Sequence, residues 1–213
     1  MLGLASLAIV LAFQQLPEVQ AAYAAGAFPA EMSRFQRAST LADLAGVFGD
    51  PADPAKLAAM RAANSLDLYI FIPAYTLFLF TGAAMVAGGL RAPLAWLSIL
   101  PALIGAGADV VETSRQIAIS ADYANAASHL PLAPWCWTKY FALAFAGAGV
   151  TAICWLGPKK RWVLGAASLV PLLATSAFAF GVIALPAVMT MSNGVFWIAL
   201  IVIGVVELVR KPA

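Results

Sequence analysis

Residues 162–185, WVLGAASLVPLLATSAFAFGVIAL, contain no ionisable side chain and follow directly on Lys159-Lys160-Arg161. As a helix this stretch would be about 36 Å long at 1.5 Å per residue, enough to cross a hydrocarbon core of about 30 Å. It shows no period-two alternation, which argues against a barrel strand. Runs of similar length and character recur on both sides, separated by Pro, Gly and clusters of charge. The fold class expected is therefore all-α, a polytopic transmembrane helix bundle of about six spans.

Composition agrees. Of 213 residues, 63% are hydrophobic and 10% charged, against about 25% charged in an ordinary soluble domain. Such a chain cannot cover its own surface with polar groups. Residues 1–213 read as one bundle with spans near 1–16, 66–90, 93–119, 135–156, 162–185 and 194–209. The first run could be a signal peptide, with Ala22-Tyr23-Ala24 beside a cleavage point near Ala25. We read it as a retained helix, with Gln14 and Gln15 facing the bundle or the outer headgroup region.

Segment 17–65 is too polar to span and reads as a small external cap of short helices. Thr40 and Asp43 stand at capping-box spacing ahead of the Leu41, Leu44, Phe48 stripe, which Gly49 closes. Asp53 can cap the next helix with Pro54 at its first position. That helix continues into the second span, where Pro73 predicts a kink.

Arg91, the Lys159-Lys160-Arg161 run and Arg210-Lys211 fall at every second boundary, and segments 120–134 and 186–193 contain no Lys or Arg. The positive-inside rule then places both termini in the cytoplasm and the cap outside. The net charge of +2 is scattered, leaving no footprint for nucleic acid. Cys136 and Cys154 would lie about 27 Å apart on one helix, beyond disulfide reach. With one histidine, His129, no site built on several imidazoles can form, so neither metal nor cofactor is expected. Gly-rich stretches such as Ala146-Gly147-Ala148-Gly149 read as surfaces where helices approach closely, and Trp135, Trp137, Trp162 and Trp197 as interfacial anchors.

The third span carries the unusual feature. Asp109, Glu112 and Gln116 share one helical face, and Arg115 is within reach of Glu112. Asp109 lies about 24 Å along the helix from Pro93, inside the outer leaflet. A carboxylate at that depth costs about 2.5–3.5 kcal/mol and should face protein or a wet cavity. Asp67 opens the second span, Tyr75 lies two turns deeper and Lys139 sits one turn into the fourth. The expectation is an outer-half polar pocket of Asp67, Tyr75, Asp109, Glu112, Arg115, Gln116 and Lys139. An Asp109–Lys139 ion pair would be its simplest internal solution. Glu207 is expected to pair with Arg210 and Lys211 at helical spacing.

These stretches also carry a resemblance. Residues 66–75 (LDLYIFIPAY), Asp109-Val110-Val111-Glu112 and Lys139-Tyr140 resemble a group of uncharacterised bacterial polytopic membrane proteins. In that group a Leu-Asp-aromatic start, an Asp-x-x-Glu-Asn element and a Lys-aromatic pair fall in successive helices. Thr113 stands where the group has Asn, which removes an amide from the expected pocket. The match covers about half the chain through short motifs. It implies a bacterial inner membrane and supports the pocket without naming an activity.

Phosphate-binding loops, His-Glu-x-x-His, Gly-x-Ser-x-Gly and paired Asp-rich segments are all missing, and no inverted repeat is visible. Three function classes remain. A binding or accessory subunit that recognises a lipid or a partner protein asks least of the residues. An intramembrane enzyme acting on a lipid or isoprenoid would use Asp109 or Glu112 as acid or base. A proton- or ion-coupled transporter would need a polar path through both leaflets. Membrane lipids, a protein at the external face and a second copy of the chain are the partners such a bundle would meet.

Overall fold

In the computed structural model, residues 2–24 and 30–210 are described. Ala25 and Lys211, invoked above, lie outside them. The protein is all-helical, 84% helix, with no strand among the described residues. Helices α1 (Leu2–Phe13), α2 (Pro17–Ala24), α3 (Ala30–Gln36), α4 (Leu41–Phe48) and α5 (Pro54–Leu66) are followed by α6 (Ile72–Ala87) and α7 (Trp96–Ala121). The chain ends with α8 (Ala133–Leu156), α9 (Trp162–Ala179) and α10 (Ala187–Arg210). Five helical stretches, Pro54–Ala87, Pro93–Ala121, Ala133–Leu156, Trp162–Ala179 and Ala187–Val209, are long and apolar enough to cross a membrane. With the short apolar α1 they make a bundle of about six spans, an integral membrane protein.

Two boundaries differ from the sequence reading, and one helix contains a feature it did not foresee. The fifth span stops at Ala179 rather than 185, because Gly181 takes φ +72 and the N–H groups of Val182 and Ile183 both turn back to the Ala177 carbonyl. Only glycine enters that conformation at little cost. The sixth begins at Ala187, directly after Pro186. Between α5 and α6, Asp67–Phe71 form a π turn in which the Ile72 N–H reaches back five residues to the Asp67 carbonyl. Pro73 supplies no N–H, and it stands in α6 just past this wide turn.

The chain divides into two compact units. The first, Ala5–Ala74 with Ala106–Thr138, is called here the Asp109 unit. Its core joins the cap helices to the end of α7. Phe35, Leu44, Val47, Phe48 and Met60 cluster with Ile119, Ala126 and Leu132. Phe48 meets Phe35 and Tyr123 edge to face at 4.9 and 5.6 Å. The Thr40 and Asp43 side chains form the capping box, Asp53 accepts from the Ala55 N–H, and Gly49 ends α4. Val19 and Ala22 seat α2 on Ala59 and Ala63 of α5. Gln14 and Gln15 are exposed in the turn between α1 and α2.

The second, Met1–Leu4, Tyr75–Gly105 and Lys139–Ala213, is the Lys139 unit. Here Gly147 and Gly149 of α8 act as the packing surface expected of them. A Cβ on Gly147 would strike the Ser168 backbone of α9, and one on Gly149 the Leu97–Ser98 backbone of α7, so only glycine lets these helices approach. Thr151 adds a hydrogen bond of 2.8 Å to the Gly165 carbonyl. Arg161 donates to the Val86 carbonyl at 2.9 Å and to Glu207 Oε1 at 2.7 Å. Glu207 is therefore engaged by Arg161, which the spacing argument did not anticipate. Lys211 and the Arg210 side chain lie outside the described residues.

Candidate functional site

In the Asp109 unit, α7 presents Asp109, Glu112, Thr113, Gln116 and Ser120 at steps of one, three and four residues, and all five are buried. Asp109 is 5% exposed and Glu112 0%. The face is therefore turned into protein, as the cost of a carboxylate against hydrocarbon requires. Thr113 Oγ1 lies 3.2 Å from Asp67 Oδ2 and 3.4 Å from Asp109 Oδ1. One hydroxyl carries one proton, so Thr113 donates to one carboxylate at a time while standing between both. Gln116 Nε2 donates to Glu112 Oε1 at 2.9 Å, and Ser120 Oγ to the Gln116 carbonyl at 2.6 Å.

The register follows from two pins. Asp67 meets Thr113, and Met60 shares a core cluster with Ile119, so α5 runs antiparallel to this part of α7. Asn64, one turn before Asp67, then falls near the level of Gln116. Asn64 is buried, and its Nδ2 has no hydrogen-bond partner among the described residues.

Arg115 departs from expectation. Its guanidinium reaches the His129 and Pro131 carbonyls at 3.4 and 3.5 Å and lies 5.4 Å from the Trp135 ring centroid, without pairing with Glu112. Glu112 is on the buried stripe, whereas Arg115 is on the flank facing the loop that precedes α8. Packing over the loop carbonyls and the indole gives it partners nearer than the interior.

Tyr75 and Lys139 belong to the other unit. Lys139 is buried with Nζ 5.2 Å from the Tyr140 ring centroid, and the Tyr140 hydroxyl shares a 2.9 Å hydrogen bond with Thr190 Oγ1. Tyr75, also buried, lies 5.5 Å from the Trp197 ring. Thr190, Asn193 and Trp197 follow at steps of three and four on α10, one helical face. Asn193 is buried, its Nδ2 donates to the Met189 carbonyl at 2.9 Å, and its Oδ1 has no hydrogen-bond partner among the described residues.

Thr190 and Asn193 are absent from the pocket expected from the sequence. By hydropathy Asn193 falls just before the last span and Trp197 at the membrane edge, yet Asn193 lies within α10 and Trp197 is buried against Tyr75 and Phe78. The spacing Thr190-x-x-Asn193-x-x-x-Trp197 inside an otherwise apolar run is the feature that could have found them.

The seven expected residues thus divide five to two: Asp67, Asp109, Glu112, Arg115 and Gln116 in one unit, Tyr75 and Lys139 in the other. Within the first, Thr113 brings Asp67 and Asp109 together, and Gln116 holds Glu112. These carboxylates suit a cationic or hydrogen-bond-donating group. The lysine and aromatic hydroxyls of the other unit suit an acceptor. Among the described residues, no group of three or more His, Cys, Asp or Glu side chains is placed to hold a metal ion. No family model, curated protein or solved structure matches this chain.

Proposed function

We propose that this is a binding or accessory protein of the bacterial inner membrane, with both termini cytoplasmic, that recognises the headgroup of a membrane lipid through polar residues in its outer half. One observation carries the reading: Asp109 and Glu112 are buried in a helix apolar enough to cross a membrane. Ionisable groups at that depth are expensive and mark binding or transport sites more often than stabilising ones. Three further features support it. Asp67 and Asp109 share Thr113, Asn64 keeps a buried donor unengaged, and the basic residues fall at alternate boundaries.

The test is mass spectrometry of the lipids that co-purify with the protein and with Asp109→Asn. The wild type should retain a lipid class that the variant loses at least tenfold, while both melt cooperatively in the same detergent. Identical lipid complements in two folded proteins would remove the basis of this reading.

A further inference from the structure

We propose that a crevice in the Lys139 unit holds one acyl chain of a phospholipid whose phosphate is seated by Arg161. A cavity of about 380 Å³ opens between α6, α10 and the start of α1, every lining residue belonging to this one unit. Phe78, Met85, Leu200 and Leu208 form walls, Gly82 lets the Leu200 side chain pack closely, and Gly204 leaves the floor open. Thr81, the one hydroxyl in the lining, is turned to the Leu77 and Phe78 carbonyls at 2.7 and 3.2 Å. Ordered water would therefore find too few partners here.

Two of the three helices that form the crevice, α6 and α10, belong to stretches long and apolar enough to cross a membrane, and the third, α1, is a shorter apolar helix, so the medium outside the crevice is hydrocarbon. An empty cleft would forfeit dispersion contacts that a chain restores. A helix from a second copy is a poorer fit. It would set one more apolar surface against the cleft and bring no anion to its charged end.

One end of the crevice is charged. Met85 and Leu208 line the cavity, and their chain neighbours Val86 and Glu207 are the two groups that Arg161 binds. A guanidinium has five N–H donors in a planar fork, and these bonds use two of its nitrogens. Lys159 and Lys160, exposed beside it, outweigh Glu207, so the end of the cleft favours an anion. Apolar wall and cationic rim together match the two parts of a phospholipid.

Native mass spectrometry in mild detergent, with added palmitoyl-oleoyl phosphatidylglycerol or the diacylglycerol of the same chains, tests this. A Cβ on Gly204 would meet Met85 no closer than 3.8 Å, so Gly204→Leu should place its side chain in the cleft. Gly194, on the same helix with open space around it, gives the control Gly194→Leu. Wild type and Gly194→Leu should retain one phosphatidylglycerol, and Gly204→Leu at least tenfold less. Met85→Trp fills the cleft from the opposite wall should Gly204→Leu fail to fold. The double variant Arg161→Gln/Glu207→Gln, which removes both members of this ion pair, should hold phosphatidylglycerol no better than diacylglycerol. Equal retention by the folded cleft-filling variants and wild type would overturn the proposal. So would a wild-type dimer that Gly204→Leu dissolves, which would give the cleft to a second copy. Equal retention of the two lipids by wild type would remove Arg161 from it.

Discussion

Thr113 shows how much one hydroxyl carries. It stands between Asp67 and Asp109, so Thr113→Ala removes a donor on which either carboxylate can draw. The variant should lose about 1–3 kcal/mol of stability, read as a lowered melting temperature in detergent, with Thr113→Ser close to wild type. If the Ala variant melts as wild type does, the bridge contributes nothing. The residue was visible in the sequence only as the place where an Asn is missing. Its hydroxyl becomes meaningful once the antiparallel pairing of α5 and α7 brings Asp67 to it, and that pairing depends on contacts distant in sequence. Arg115 was misjudged for a related reason: helical spacing lists who can meet, while packing decides who does. Asp43, by contrast, was legible because its partners are local. Hydrogen bonds from the Ser39 N–H first, then from the Thr40 hydroxyl and N–H, hold its carboxyl below the usual 3.8. A depressed folded pKa contributes stability that is complete above the unfolded value and lost as pH falls through the folded one. Amides of α4 should therefore be better protected from hydrogen exchange in wild type than in Asp43→Ala at pH 6, and the difference should shrink as the pH is taken down below the usual 3.8 and the carboxyl is protonated. A difference that persists in acid would mean that the carboxylate is not what holds this cap.

The π turn at Asp67–Phe71 behaves as one residue too many for an α-helix. With Pro73→Ala in place, so that no proline ring needs the wider turn, removing one residue from it should return the segment to α-helical hydrogen bonding and leave the faces before and after it in register. Deletion of Tyr69, which is exposed, should then change the melting temperature by only a few degrees. Deletion of the equally apolar setting's Leu77, exposed in the regular part of α6, should abolish the cooperative transition. Equal damage from both deletions would show that the turn is no tolerant insertion. The long apolar helices could be read from hydropathy and α4 and α5 from their capping side chains, whereas α2 and α3, short and with no such side chain ahead of them, could not be placed. Interruptions were harder. Residues 180–185 are as apolar as the helix they follow, and only the backbone of Gly181 reveals the stop. Ser192 and Asn193 look like loop residues, yet their side-chain donors return to the Met189 carbonyl, which lets polar groups sit inside α10 at little cost.

For the whole molecule, composition and segment length were sufficient to give an all-helical membrane protein, because hydrocarbon leaves a chain few other ways to satisfy its backbone. Orientation rests on charge at the boundaries. Single cysteines at Lys160 should react with an impermeant maleimide only from the cytoplasmic side, and those at Pro51 or His129 only from outside. Cys136 and Cys154 are buried, so background labelling should be low. Labelling at Lys160 from outside would reverse the whole arrangement. The early end of α9 has a further consequence, for the membrane rather than the protein. With 18 residues it is about 27 Å long, and the chain beyond Ala179 leaves the helix with Phe180 and Val182 exposed. Backbone groups freed there need water or headgroups rather than acyl chains. Lipid alongside α9 must then thin by a few ångströms from about 30 Å, and short-chain lipids should gather there in preference to long ones.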